Sequence, residues 1–356
     1  MFNPKRMKLA RQRRQFTAKA LAEKVFVNAV TISRLEKGTH QPDPGTLTSL
    51  SRALQFPESF FLEKEMDLLD QETASFRSRK AMTAKERDAA LASGALGFII
   101  SDWISERFNL PVTDLPNWGS EADPAATARM LRDLWCLGEK PIKDMTRLLE
   151  AKGIVLFSLS EATRRVDAFS CWRNGKAYIF LNMQKTAERS RFDCAHELGH
   201  LILHRHGGPS NREAEREADN FASSFLMPSA DVESRVHRVS SVATILKAKK
   251  RWGVSAMAMA YRLHKLGRLS NWQYRTFCIQ LSQLGYGTGE PDGIAREESS
   301  VWPQVLQELW KEGVTRQHIA QAVHIPFEEF ENLVNGLLSG DMALGMGEAS
   351  QGLRLV

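Results

Sequence analysis

The run His196-Glu197-Leu198-Gly199-His200 constrains this chain more than any other five residues. Residues four apart on an α-helix lie on one face, so His196 and His200 can converge on one cation. Glu197, on an adjacent face, can then reach a metal-bound water. Such chemistry needs a rigid helix buried against other elements, and the apolar Phe192, Leu201 and Leu203 provide for one over residues 189–204. Ahead of it, 153–159 and 177–182 are short, β-branched and aromatic and read as strands, with 168–173 as a third. Behind it, a second helix runs from Glu213 to Leu226 and stops at Met227-Pro228. Elsewhere the apolar spacing is helical, so the expected class is α+β, mainly α with a small β-sheet.

Two imidazoles fill two corners of a zinc tetrahedron, and a catalytic site needs a third protein ligand. Residues 215–228, EREADNFASSFLMP, offer it from the second helix. A glutamate in that place is the gluzincin solution, and the pattern E-x-x-A-D fits Glu215 to Asp219. Glu215 is then the metal ligand and Glu217 the reserve. Asp219, one turn on, can orient a histidine ligand through its free ring N–H. His206 has the interval of HExxHxxGxxH, but Leu203 stands where that pattern has its glycine. His204 lies a further turn along the helix, about 6 Å on, and reads as a polar neighbour of the site.

The charge is unevenly placed. Residues 1–62 hold 11 Lys and Arg against 4 Asp and Glu, whereas 63–356 hold 37 against 38. Within that basic segment, Leu9, Leu21, Ala22, Val25, Ile32, Leu35, Leu47, Leu50 and Leu54 space out about five short helices. Residues 17–38, TAKALAEKVFVNAVTISRLEKG, have helix-turn-helix spacing, with Asn28 as N-cap of the second helix. The unit resembles the phage-repressor (XRE/Cro-like) family, except that Phe26 stands where that family usually has glycine in the turn. The resemblance implies double-stranded DNA as a partner, with Ala29, Val30 and Arg34 facing base edges and Asn28, Thr31 and Lys37 nearer the phosphates. Arg6, Lys8, Arg11, Arg13 and Arg14 are further candidates for neutralising phosphate.

At 356 residues the chain has room for two or three domains. The divisions expected are a helix-turn-helix domain over 1–62, a helical connector over 63–124, a peptidase-like core over 125–230, a helical region over 231–340 and a flexible tail over 341–356. No apolar stretch approaches the ~20 residues needed to span a bilayer. A polar, basic start and four scattered cysteines fit a cytoplasmic protein with reduced thiols. Residues 314–333 show a second, weaker helix-turn-helix spacing. There Glu328, Glu329 and Glu331 repel phosphate, so a packing or homodimer element is the plainer reading.

Over 125–228 the chain resembles the ImmA/IrrE family of zinc metallopeptidases, and the match rests on four collinear segments. They are PIKDMTRLLEAKGIVLF (141–157), DAFSCW (167–172), FLNMQKTAERSRFDCAHELGHLILH (180–204) and EREADNFASSFLMP (215–228). FRSRKAMTAKERDAAL (76–91) and KKRWGVSAMAMAYRLHKLG (249–267) extend the likeness to members that carry an N-terminal repressor-like domain. The resemblance implies one zinc ion per chain and an endopeptidase that cleaves a repressor-type or antitoxin-like protein, with Glu197 as general base. It equally leaves open a transcriptional regulator or a toxin of a toxin–antitoxin or prophage module, in which the zinc site is regulatory or structural.

Overall fold

The structure, a computed structural model, describes residues 1–69, 74–77, 82–118, 123–159, 166–205 and 212–340. The tail over 341–356 and His206 lie outside the described residues. The fold is α+β, helices with one small sheet, in two compact units. The first unit comprises Met1–Pro111, Phe157–Asp167 and the chain from Ser299 onward; the second comprises Val112–Leu156 and Ala168–Glu298.

The first unit opens with α1 (Pro4–Arg13), α2 (Ala18–Lys24), α3 (Ala29–Glu36), α4 (Pro44–Leu54) and α5 (Glu58–Leu62). Each of the first four is started by a side chain that accepts a backbone N–H, from Asn3, Thr17, Asn28 and Asp43 in turn. Leu9, Leu21, Ala22, Val25, Ile32, Leu35, Leu50 and Leu54 are buried as their spacing requires, together with Phe60 and Phe61. Leu47 is half-exposed. A short strand, β1 (Ala74–Arg77), and the long α6 (Ala84–Ser105) follow. A capping box between Thr83 and Glu86 opens α6, which packs against α1 and buries small residues, among them Ala89, Ala92 and Ala95.

The second unit is laid down next as α7 (Pro124–Leu134), α8 (Met145–Ala151), β2 (Ile154–Ser158, of which Ile154–Leu156 belong here), β3 (Ala168–Arg173) and β4 (Lys176–Leu181). β3 and β4 pair antiparallel, Ala168 opposite Leu181 and Trp172 opposite Ala177, with β2 on the far side of β4. Their turn is Asn174-Gly175 with both φ positive, 51° and 76°, the conformation a tight hairpin demands and this dipeptide tolerates best. Then come α9 (Ala187–Leu203), α10 (Arg212–Leu226), α11 (Ser229–Arg235), α12 (Val242–Trp252), α13 (Ala256–Lys265) and α14 (Asn271–Gln283).

α9 is the axis of this unit, packed on β3, β4, α8 and α10. At the crossing with α10, a Cβ added to Gly199 would stand 3.0 Å from Phe221 Cδ1 and 3.3 Å from Ala218 Cα. The glycine of HELGH therefore sets how closely α10 approaches. Two buried arginines grip the far end of α10. Arg132 donates to the carbonyl of Phe225 at 2.5 Å, and Arg262 to that of Met227 at 2.9 Å. Gly199→Ala should push α10 outward and destabilise the protein by about 1–3 kcal/mol, the usual cost of overpacking. A urea midpoint equal to wild type would show that α10 yields freely and that the glycine sets nothing.

The chain returns to the first unit as α15 (Val301–Lys311), α16 (Arg316–Ala322) and α17 (Phe327–Val334), with α17 packed on α6. α16 and α17 repeat the form of α2 and α3. Thr315 caps as Thr17 does, Ile319, Ala320 and Val323 are buried like Leu21, Ala22 and Val25, and His324 holds φ +57° where Phe26 does. The helix equivalent to α3 turns its acid onto α1: Glu329 accepts from Arg13 at 2.7 Å and from Arg14 at 2.9 Å.

Candidate functional site

The α-helical period puts His196 and His200 on one buried face of α9, both essentially without exposure. Their Nε2 atoms stand 3.0 Å apart. Glu215, in the first turn of α10, brings its carboxylate to the same place, Oε2 3.5 Å from His196 Nε2 and Oε1 3.3 Å from His200 Nε2. Among the described residues these three side chains form a group whose donor atoms all lie within 4.8 Å of one another. Zinc–nitrogen and zinc–oxygen bonds of ~2.0–2.2 Å give a tetrahedron whose edges are about 3.3 Å. The two Nε2 atoms are separated by about such an edge, and each has a Glu215 oxygen at that range, so the residues present fit a zinc ion.

The electrostatics suit the same ion. Burial pushes the proton affinity of His200 down, to a pKa of about 4, against the pull of Glu215. An imidazole so placed is neutral at ordinary pH and keeps a lone pair for a metal. Burial opposes ionisation of Glu215 too, but the ring nitrogens of His196 and His200 beside it outweigh that and hold the carboxyl well below the usual range. A neutral His200 leaves the charge of the Glu215 carboxylate beside it uncompensated from that side, and a divalent cation would balance it.

Around these three stand groups that fix their orientation. His196 Nδ1 lies 2.9 Å from Asp219 Oδ1. Glu197, fully buried, accepts from Ser170 Oγ on β3 at 2.7 Å. Glu217 does not join the group; its Oε2 meets His204 Nε2 at 2.8 Å. His204 ends α9 and reaches His200 rather than the convergent point. Ser170 was not among the candidates named from sequence. It is one polar residue in a strand whose first four residues are all buried, and its partner is 27 positions away.

On the helix-turn-helix, Asn28 accepts the N–H of Val30 at 2.9 Å and so starts α3. Ala29, Val30, Arg34 and Lys37 are exposed and Thr31 is half-exposed, as a reading helix requires. Phe26 takes the left-handed conformation that the turn demands, φ +57°, with its ring 94% exposed. The basic residues of α1 are differently employed. Arg6 is buried and donates to the carbonyl of Lys64, Arg11 pairs with Glu36, and Arg13 and Arg14 share Glu329. Charge count overstated the footprint on α1. The cations of residues 1–62 left exposed are Lys5, which pairs with Glu65, and Lys8, Lys19, Lys24, Arg34, Lys37 and Arg52.

Residues 149–264 match the family model described as IrrE N-terminal-like domain (Peptidase_M78). Residues 5–59 match that of a helix-turn-helix domain. No relative was found among curated proteins. The first match contains α9 and α10 with the whole convergent group, and the second contains α2 and α3. Among the described residues no helix is long and apolar enough to cross a membrane.

Proposed function

We propose that this chain, in which a helix-turn-helix domain precedes an IrrE N-terminal-like domain, is a DNA-binding zinc metalloendopeptidase that cleaves a repressor-type regulatory protein. The observation that carries the reading is the convergence of two imidazole nitrogens 3.0 Å apart with the Glu215 carboxylate oxygens 3.3 and 3.5 Å from them, beside a buried carboxylate one residue along from His196 on the same helix. His196, His200 and Glu215 would hold the zinc. When bound, the ion supplies Lewis acidity and lowers the pKa of a water to about 7. Glu197 takes a proton from the attacking water and returns it to the leaving amine nitrogen. Ser170 fixes the rotation of the Glu197 carboxylate by donating to Oε2. Asp219 accepts from His196 Nδ1 and so leaves its Nε2 lone pair facing the convergent point. The cytoplasm, where DNA and its regulators meet, is the setting we assign.

Purified protein is expected to carry about one zinc per chain. It should cut the repressor-type protein encoded beside it, lose that cleavage on chelation, and regain it when zinc is returned. Undiminished cutting after the zinc is stripped would end the metallopeptidase reading.

The exposed face of α3 favours a DNA-linked role in the same molecule, as operon autoregulation or targeting. Arg34→Ala should weaken operator binding by roughly 5- to 150-fold, the equivalent of ~1–3 kcal/mol for one base contact. Equal mobility-shift curves for variant and wild type would remove Arg34 from the interface.

A further inference from the structure

His200 offers Nε2 to the convergent group, which leaves its Nδ1 to find another partner. That atom lies 2.9 Å from His204 Nδ1. The two rings tilt against each other at 5.0 Å between centroids. On its other side, His204 Nε2 lies 2.8 Å from Glu217 Oε2. Glu217 sits on α10 two residues beyond Glu215, and His204 on α9 one turn beyond His200, so both are anchored to the helices that carry the ligands.

The direction of each hydrogen bond follows from its far end. An ionised carboxylate can only accept, so the proton of His204 must be on Nε2. In the neutral imidazole Nδ1 of His204 then bears a lone pair and accepts. The donor to it is His200 Nδ1–H, and an imidazole protonated at Nδ1 has its free lone pair on Nε2. Glu217, acting through His204, therefore selects the one tautomer of His200 whose lone pair faces His196 and Glu215. Asp219 does this for His196 directly, over one bond. At His200 an intervening imidazole spans the gap.

We propose that His204 and Glu217 form a positioning pair for the metal site, which presents His200 to the ion in the correct tautomer and orientation. The inference rests on the zinc reading above and adds two residues outside the ligand set. Neither touches the reacting atoms. Their effect belongs to metal affinity, where partners of a ligand are worth about 10- to 100-fold.

Glu217→Gln makes the sharpest test because it keeps the side chain's size. Its amide oxygen can still accept from His204 Nε2–H, but the NH2 end can donate there instead. The negative charge that holds the proton on Nε2 is gone, so the tautomer preference passed on to His200 is lost. Zinc affinity is to be measured by competition with a chromophoric chelator for wild type, Glu217→Gln, His204→Ala and the double variant. Cobalt(II) visible spectra of the same four proteins report ligand geometry. We expect each single variant to bind zinc about 10- to 100-fold more weakly, the double variant to be no weaker than His204→Ala, and the cobalt bands to shift. Metal-free Tm for Glu217→Gln should stay at the wild-type value, which a role confined to holding α9 and α10 together would not allow. Wild-type affinity in Glu217→Gln, or losses that multiply in the double variant, would overturn the pair. If wild-type protein takes up no zinc, the reading of the site fails first and the pair with it, an outcome separate from the loss of the pair alone.

Discussion

Glu197→Gln is expected to lower the rate of peptide cleavage by about 10²- to 10⁴-fold while leaving zinc content unchanged. The range is that of a positioned general base. The substitution removes a proton acceptor and little else. Glu197 is fully buried, and its Oε2 accepts the Ser170 hydroxyl; the amide oxygen of Gln can accept that same proton, so the carboxamide should sit where the carboxylate sat. None of the three convergent donor atoms belongs to Glu197, so the metal site is left whole. Zinc by elemental analysis and cleavage of the partner protein, taken on one preparation, separate the two effects. Zinc loss together with activity would make Glu197 a structural support of the site. Cleavage at the wild-type rate with full zinc would mean that another group carries the proton.

What could be read ahead of the structure was whatever depends on helical period. His196 and His200 at four residues, and Glu215 and Asp219 at four residues, need only a helix to share a face. The tight hairpin between β3 and β4 is equally local, set by Asn174-Gly175, although only the strands on either side of it were named from sequence. The contacts that orient these groups are not local. Ser170 and Glu197 are 27 residues apart, and His204 and Glu217 are 13 apart. No periodicity links such pairs. The first follows from the packing of β3 on α9, the second from how closely α10 lies on α9, which depends on the missing side chain of Gly199.

Charge was the least transferable signal. A cluster of arginines at one end of a chain has the same count whether it faces solvent or an acid three hundred residues away. Arg13 and Glu329 are 316 positions apart, and only the packing of α1, α6 and α17 brings them together. The residues expected to read DNA, from Asn28 to Lys37, depend on one short helix and its cap, and they are accessible. Those expected to neutralise phosphate from α1 depended on the absence of a partner, which sequence cannot state.

Removing that partner should have the largest effect on stability of any substitution in the first unit. Glu329 is 1% exposed and is held between Arg13, itself 3% exposed, and the half-buried Arg14. Glu329→Ala deletes both acceptors and leaves the Arg13 guanidinium charged inside the fold. Breaking a buried pair from one side typically costs about 3–5 kcal/mol. That is a large fraction of the ~5–15 kcal/mol that holds a folded protein together. Thermal or urea unfolding should show the loss in the transition of the first unit, while the zinc content of the second is unchanged. Replacing the acid and its buried partner together, as Arg13→Met with Glu329→Leu, should recover much of the loss, because two apolar chains leave no charge to bury. If Glu329→Ala instead unfolds like wild type, Arg13 and Arg14 must find solvent or another acceptor at little cost. Their charge would then be available to DNA after all, and Arg13→Ala would weaken operator binding without changing the unfolding midpoint.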